Sequence, residues 1–175
     1  GYNCRITSYS LYKDFVKVDS SPEIRDELLF MDLEALDTDN SAVGTPEGMN
    51  KFEALYSSIL TEKSPDTKIH IANIEKSLKD RNITFTSNDK ASMISVWMYD
   101  DIDEAKLFVG HIGVLLNTDK GLYFIEKLSF QEPYQVIKFN TKKEVNDYLM
   151  KKYDVDPSEE RAKPIIFENA SPIQV

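Results

Sequence analysis

The hydrophobic period of this chain changes once, near Arg81, and that change limits what it can fold into. Before Arg81 the apolar residues recur at helical spacing; after it they alternate or run in short blocks, as strands do. Helices first and a strand meander second is an α+β arrangement, with N-terminal helices packed on an antiparallel β-meander. The chain divides into a mainly helical part (1–81), an antiparallel sheet (82–140) and a C-terminal helix with a tail (141–175). Its 175 residues suit one domain.

In the helical part, Asn3 caps a helix from about Cys4 to Val16, with Ile6, Tyr9, Tyr12 and Phe15/Val16 along one face. Ser20 and Glu23 form a capping box and Pro22 suits the first turn of a helix through Leu36. Thr45-Pro46-Glu47 opens the clearest helix, on which Met49, Phe52, Leu55, Tyr56, Ile59 and Leu60 keep the 3.6 period. Ile69 to Leu78 reads as a further helix, although Ile69-His70-Ile71 alternates and can also begin a strand.

In the second part, Ile83 to Thr86 and Ser92 to Tyr99 read as strands. Leu107–Asn117 and Leu122–Phe130 flank the short turn Thr118-Asp119-Lys120-Gly121, which predicts an antiparallel hairpin. Tyr134 to Phe139 adds a strand. Thr141 and Glu144 form a second capping box for a helix to about Tyr153. Pro164-Ile165-Ile166-Phe167 is an edge strand or a docked tail.

Composition removes several classes of function. With 21 Lys+Arg against 30 Asp+Glu, the net charge of −9 lacks the basic face that nucleic acid requires. The same excess disfavours anionic lipid, and no apolar run approaches the ~20 residues of a membrane-spanning helix. One cysteine allows no internal disulfide, and one Cys with two His does not fill a structural zinc site. No metal or other cofactor is implied. Asp100, Asp101, Asp103 and Glu104 could bind calcium, but such a run is more commonly a solvated loop. The opening Gly1-Tyr2-Asn3-Cys4 lacks the pattern of a secretory signal, which leaves a cytosolic protein or an exported one whose signal has been removed. Asn3 before Cys4 is not the small residue that an acylated lipoprotein cysteine normally follows.

Three residues stand out chemically. Cys4 lies at a helix start, where open backbone N–H groups and the positive end of the dipole favour a thiolate; a lone cysteine is more commonly a small buried hydrophobe. His111 sits between two glycines in Phe108-Val109-Gly110-His111-Ile112-Gly113-Val114-Leu115, and glycine within a strand marks a bulge or a close approach. If Thr118 pairs with Gly121, then Gly113 faces Glu126 and His111 faces Leu128. That register makes His111 and Glu126 diagonal neighbours on one face, ~7–8 Å apart at Cα level. Glu126 can then accept a hydrogen bond from the imidazole and fix its tautomer. A slip of one residue would send Glu126 to the other face, leaving Asn117 and Gln131 as the alternatives. His70 competes as a base without a comparable setting, and Trp97 and Tyr99 are either cleft-lining or core aromatics.

The order of these residues resembles the NlpC-type branch of papain-like cysteine peptidases and amidases. In that branch the histidine strand commonly reads His-Val-Gly followed by apolar residues, and a third polar residue follows the hairpin turn. His111-Ile112-Gly113-Val114 matches the strand, Cys4 the nucleophile and Glu126 the third position. The nucleophile motif departs from the usual Asp-Cys-Ser-Gly, reading Asn3-Cys4-Arg5-Ile6, and the helical insert before His111 is long. The whole chain also resembles an uncharacterised family of exported Gram-positive bacterial proteins. The resemblance implies a cysteine hydrolase acting on an amide, with cell-wall peptide as a candidate substrate. Cys4 would attack, His111 would shuttle the proton and Glu126 would orient it. It also implies an extracellular or cell-surface location, with the cytoplasm as the alternative. The rival reading is a non-enzymatic surface or binding module of the same architecture. Lys142, Lys143, Lys151 and Lys152 form either a local basic patch or a solvated helix face.

Overall fold

A computed structural model describes residues 1–19, 23–86 and 89–175. Asn3 opens helix α1 (Cys4–Tyr12) by accepting the Ile6 N–H on its side chain at 3.0 Å, which satisfies one donor that a helix start leaves open. The helix ends at Tyr12, short of the expected Val16. A 3₁₀ turn follows, and Val16–Val18 forms strand β1. Its partner, with Val16 opposite Phe85, lies far along the chain, where local helical spacing carries no information about it.

Helix α2 (Phe30–Thr38) begins later than the sequence suggests. Ser20 and Pro22 fall outside the described residues, and 23–29 is not helical. The cause is tertiary. The Arg25 N–H donates to Ser57 Oγ and the Arg25 carbonyl accepts the Ser58 N–H, both at 3.1 Å. Helix α3 (Pro46–Tyr56) starts on its Thr45 cap but stops before Ile59. Ser57 Oγ donates to the Glu53 carbonyl at 2.7 Å, and buried Arg81 donates to the carbonyls of Ala54, Ser57 and Ser58 at 3.2, 3.1 and 2.8 Å. With those carbonyls satisfied from outside, the chain turns, and Ile59–Leu60 becomes strand β2. Helix α4 (Thr67–Asp80) includes Ile69-His70-Ile71, which is therefore helical.

Strand β3 (Ile83–Phe85) pairs with β1 in a separate two-stranded sheet. The main sheet contains β4 (Ala91–Asp100), β5 (Lys106–Thr118), β6 (Gly121–Lys127) and β7 (Tyr134–Phe139), followed after helix α5 (Lys142–Tyr153) by β8 (Ile165–Glu168) and β9 (Ser171–Pro172). Its order is β7-β6-β5-β4-β8-β9, with β2 also beside β5, and every described pair is antiparallel. Of the two expectations for Ile165 to Phe167, an edge strand or a docked tail, the segment docks on β4 as strand β8, with the two-residue β9 beyond it. The α+β arrangement holds, with helices and a largely antiparallel sheet.

The sheet buries side chains on both faces. Val109, Ile112 and Val114 join Ile6, Tyr9 and Phe52 in one core. Leu115 joins Ile94, Phe124, Val145 and Leu149 in the other, beneath α5. Each fully buried Leu, Ile or Phe contributes about 1.5–3 kcal/mol, so both layers hold the sheet in place.

One irregularity positions the site. The hairpin register is as expected, with Thr118 opposite Gly121 and Gly113 opposite Glu126. However, β6 ends at Lys127, so Leu128 does not pair with His111. On that edge of β5, β6 covers Gly113 to Thr118 and β2 covers Lys106 and Leu107. Among the described residues, 108–112 has no strand partner there. Helix α1 docks at this gap: Arg5 Nη1 donates to the Val109 carbonyl at 2.9 Å and Ser8 Oγ to the Ile112 carbonyl at 3.2 Å.

Candidate active site

His111 stands beside a β-bulge. Val96 pairs with His111 and Trp97 with Val109, so Gly110 is the extra residue. Bulges re-aim neighbouring side chains and recur next to active sites. The other glycine has a packing role: a Cβ on Gly113 would lie 2.5 Å from Phe124 Cζ and 2.7 Å from the Ile125 carbonyl oxygen. Both flanking glycines are packed closely, since a Cβ on Gly110 would lie 2.4 Å from Met98 Cγ.

The imidazole is almost sealed, at 1% exposure, as is Glu126, also at 1%. His111 Nε2 lies 2.6 Å from Glu126 Oε1. An ionised carboxylate only accepts hydrogen bonds, so Nε2 carries the proton and Nδ1 is the open nitrogen. Cys4 begins α1, the helix whose Arg5 and Ser8 bond β5 on either side of His111. Burial opposes the charged imidazole, but the neighbouring Cys4 and Glu126 outweigh it and hold His111 above its ordinary pKa. Burial likewise opposes the Glu126 carboxylate, yet hydrogen bonds from His111, Tyr148 and Gln135 hold its pKa below the usual glutamate value. Of the three residues singled out from sequence, the structure pairs His111 with Glu126 and places Cys4 at the start of the helix that docks on the same strand.

Other residues of the site gave no sequence signal. Gln135 Nε2 donates to Glu126 Oε2 at 2.9 Å, and the Tyr148 hydroxyl donates to the same oxygen. Tyr153 stacks on His111 with ring centroids 5.1 Å apart at 23°. Burial, then the nearby Glu126, pushes the phenols of Tyr148 and Tyr153 well up, so both remain neutral. On the cysteine side, Asp32 is completely buried. Its Oδ1 accepts from Asn3 Nδ2 at 2.6 Å and Arg5 Nε at 2.8 Å, while Oδ2 accepts from Arg5 Nη2 at 2.6 Å. Their partners are distant in sequence and read locally as ordinary polar positions.

The remaining candidates lie elsewhere. Asn117 donates to the Asp89 carbonyl at 3.2 Å, and Gln131 donates its backbone N–H to Ser129. His70 is buried, with Nε2 2.7 Å from the Ser64 carbonyl oxygen and Nδ1 2.6 Å from Thr61 Oγ1, so it ties the 61–64 loop to α4. Trp97 belongs to the core. In the acidic run, Asp100 and Asp101 face Arg161 and Glu104 faces Arg25. Lys142 and Lys143 are paired with Glu168 and Asp147, which weakens any basic patch on α5.

A family model described as "Domain of unknown function (DUF4300)" matches residues 1–173. The chain belongs to this family. No curated protein and no solved structure matches it. The match to DUF4300 covers nearly the whole chain, from Asn3-Cys4-Arg5 to β9. No helix among its described residues is long and apolar enough to cross a membrane.

Proposed function

We propose that this protein is a cysteine hydrolase of papain-like, NlpC-type organisation that cleaves an amide bond. The observation that carries the reading is the buried His111–Glu126 pair, with Nε2–Oε1 at 2.6 Å, on the strand against which the helix opened by Cys4 docks. His111 Nδ1 takes the thiol proton as Cys4 Sγ adds to the carbonyl carbon. The open N–H groups at the start of α1, that of Cys4 among them, stabilise the resulting oxyanion. Collapse breaks the C–N bond, and the imidazolium returns its proton to the departing amine. Water, deprotonated by His111, then hydrolyses the thioester to a carboxylic acid and regenerates the thiol. Glu126 holds the tautomer and stabilises the imidazolium in both halves. The family resemblance makes cell-wall peptide the first substrate to test, and an extracellular or cell-surface location the first compartment.

Closure of the site favours a second reading, a non-enzymatic surface or binding module. Cys4 is 8% exposed. A cleft of about 610 Å³ is lined by residues such as Phe85, Ser92, Asn117 and Asn169, away from the pair. Iodoacetamide separates the two readings, because Cys4 is the sole cysteine. As a nucleophile it should alkylate at neutral pH and lose roughly tenfold in rate in His111→Ala, as when a free thiol replaces a histidine-paired thiolate. A slow reaction indifferent to His111 would leave the binding-module reading.

A further inference from the structure

We propose that Arg5 and Asp32, with Ser8, form a positioning clamp that sets the separation of Cys4 and His111. The inference rests on the Cys4–His111 reading and assigns roles to residues that do not touch the reacting atoms. Cys4 and His111 are carried by different elements, and among the described residues no strand covers 108–112 on the β5 edge opposite β4. What joins the elements is a pair of side-chain bonds on either side of the bulge. Arg5 Nη1 holds the Val109 carbonyl at 2.9 Å, just before Gly110, and Ser8 Oγ holds the Ile112 carbonyl at 3.2 Å, just after His111.

Arg5 can make its carbonyl bond in one geometry only, because Asp32 fixes the guanidinium plane. Nε and Nη2 form a fork on the two carboxylate oxygens at 2.8 and 2.6 Å, leaving Nη1 aimed at β5. Asn3 grips the same carboxylate at 2.6 Å while capping α1. The residues on both sides of Cys4 are therefore locked to one buried anchor. A buried ion pair is weak evidence for stability, since apolar replacements commonly serve as well; fixing a register is its better-attested use. Register matters here because a displacement of about 1 Å between reacting groups can cost ~100-fold in rate. Lysine could keep the charge at position 5 but not the fork and the carbonyl bond together.

The test is a double-mutant cycle on Cys4 alkylation by iodoacetamide, using the full chain with and without Arg5→Lys and His111→Ala. In the native chain His111→Ala should slow alkylation roughly tenfold. In the Arg5→Lys background, with an intact amide NMR spectrum, the same change should have little further effect, because the two groups no longer meet. A merely structural Arg5 would lower the melting temperature but leave the His111 effect whole, and that result overturns the clamp. Should Arg5→Lys not fold, Ser8→Ala leaves the buried ion pair in place; a reduced His111 effect there supports the clamp, and an undiminished one overturns it. A native chain whose alkylation ignores His111 would sink the catalytic pair, and the clamp with it; retained coupling in Arg5→Lys sinks the clamp alone.

Discussion

A carboxylate at 1% exposure keeps its charge only if its oxygens are well bonded, and Glu126 meets that condition through His111, Gln135 and Tyr148. Glu126→Gln preserves shape but removes the charge facing the imidazole. The His111 pKa should fall in this variant, as read by an NMR titration of its ring protons; identical titrations in the two proteins would show that Glu126 does not act on His111 electrostatically. Asp32 poses the same problem on the cysteine side, where Arg5 and Asn3 supply the bonds. Asp32→Ala leaves the Arg5 guanidinium without its counter-charge and should cost about 3–5 kcal/mol in urea unfolding. Combining Arg5→Met with Asp32→Leu should recover much of that loss without restoring Cys4 reactivity. Asp32 was invisible from sequence because its partners lie 27 and 29 residues away, whereas Glu126 could be reached by counting from a turn.

That contrast holds for whole elements. The β5–β6 hairpin could be read residue by residue because a short turn, with Gly121 at φ 129°, fixes every pairing before it. Helices with their own caps, α1 at Asn3, α3 at Thr45 and α5 at Thr141, also begin where the sequence places them. Three of the misplaced boundaries share one physical cause. Residues 23–29, the end of α3 and β1 have backbone groups bonded to distant partners, Ser57 and Ser58, Arg81 and β3 respectively. Arg81→Ala should therefore destabilise the fold by about 2–3 kcal/mol in urea melts, since it strips bonds from a charged donor to three carbonyls. Gly113→Ala tests the hairpin itself. The added methyl meets Phe124 and the Ile125 carbonyl, and overpacking of this kind costs about 1–3 kcal/mol. A neutral outcome would mean that the ring is free to move aside.

At the scale of the molecule, the net charge is −9, and the buried His111–Glu126 pair is one place where pH acts on the fold. The two groups pull in opposite directions. Glu126 has a lowered pKa when folded, so its contribution is present above the unfolded glutamate value of ~4.3 and is lost as pH falls through the folded one. His111 has a raised pKa when folded, so its contribution is complete below the unfolded value of ~6.5 and is lost as pH rises through the folded one. Both contributions are therefore complete together only between ~4.3 and ~6.5. Glu126→Gln abolishes the charge pair at every pH while leaving the rest of the −9 surface nearly unchanged, which makes the difference between the two proteins more informative than either melting curve. Plotted against pH, the excess melting temperature of the native chain over Glu126→Gln should peak inside that window and decline on both sides. The acid limb belongs to the glutamate and the alkaline limb to the histidine. A difference that stays flat from acid to alkali would mean that the two side chains are not ionised together in the folded protein, and would leave His111 neutral and held only by its hydrogen bonds.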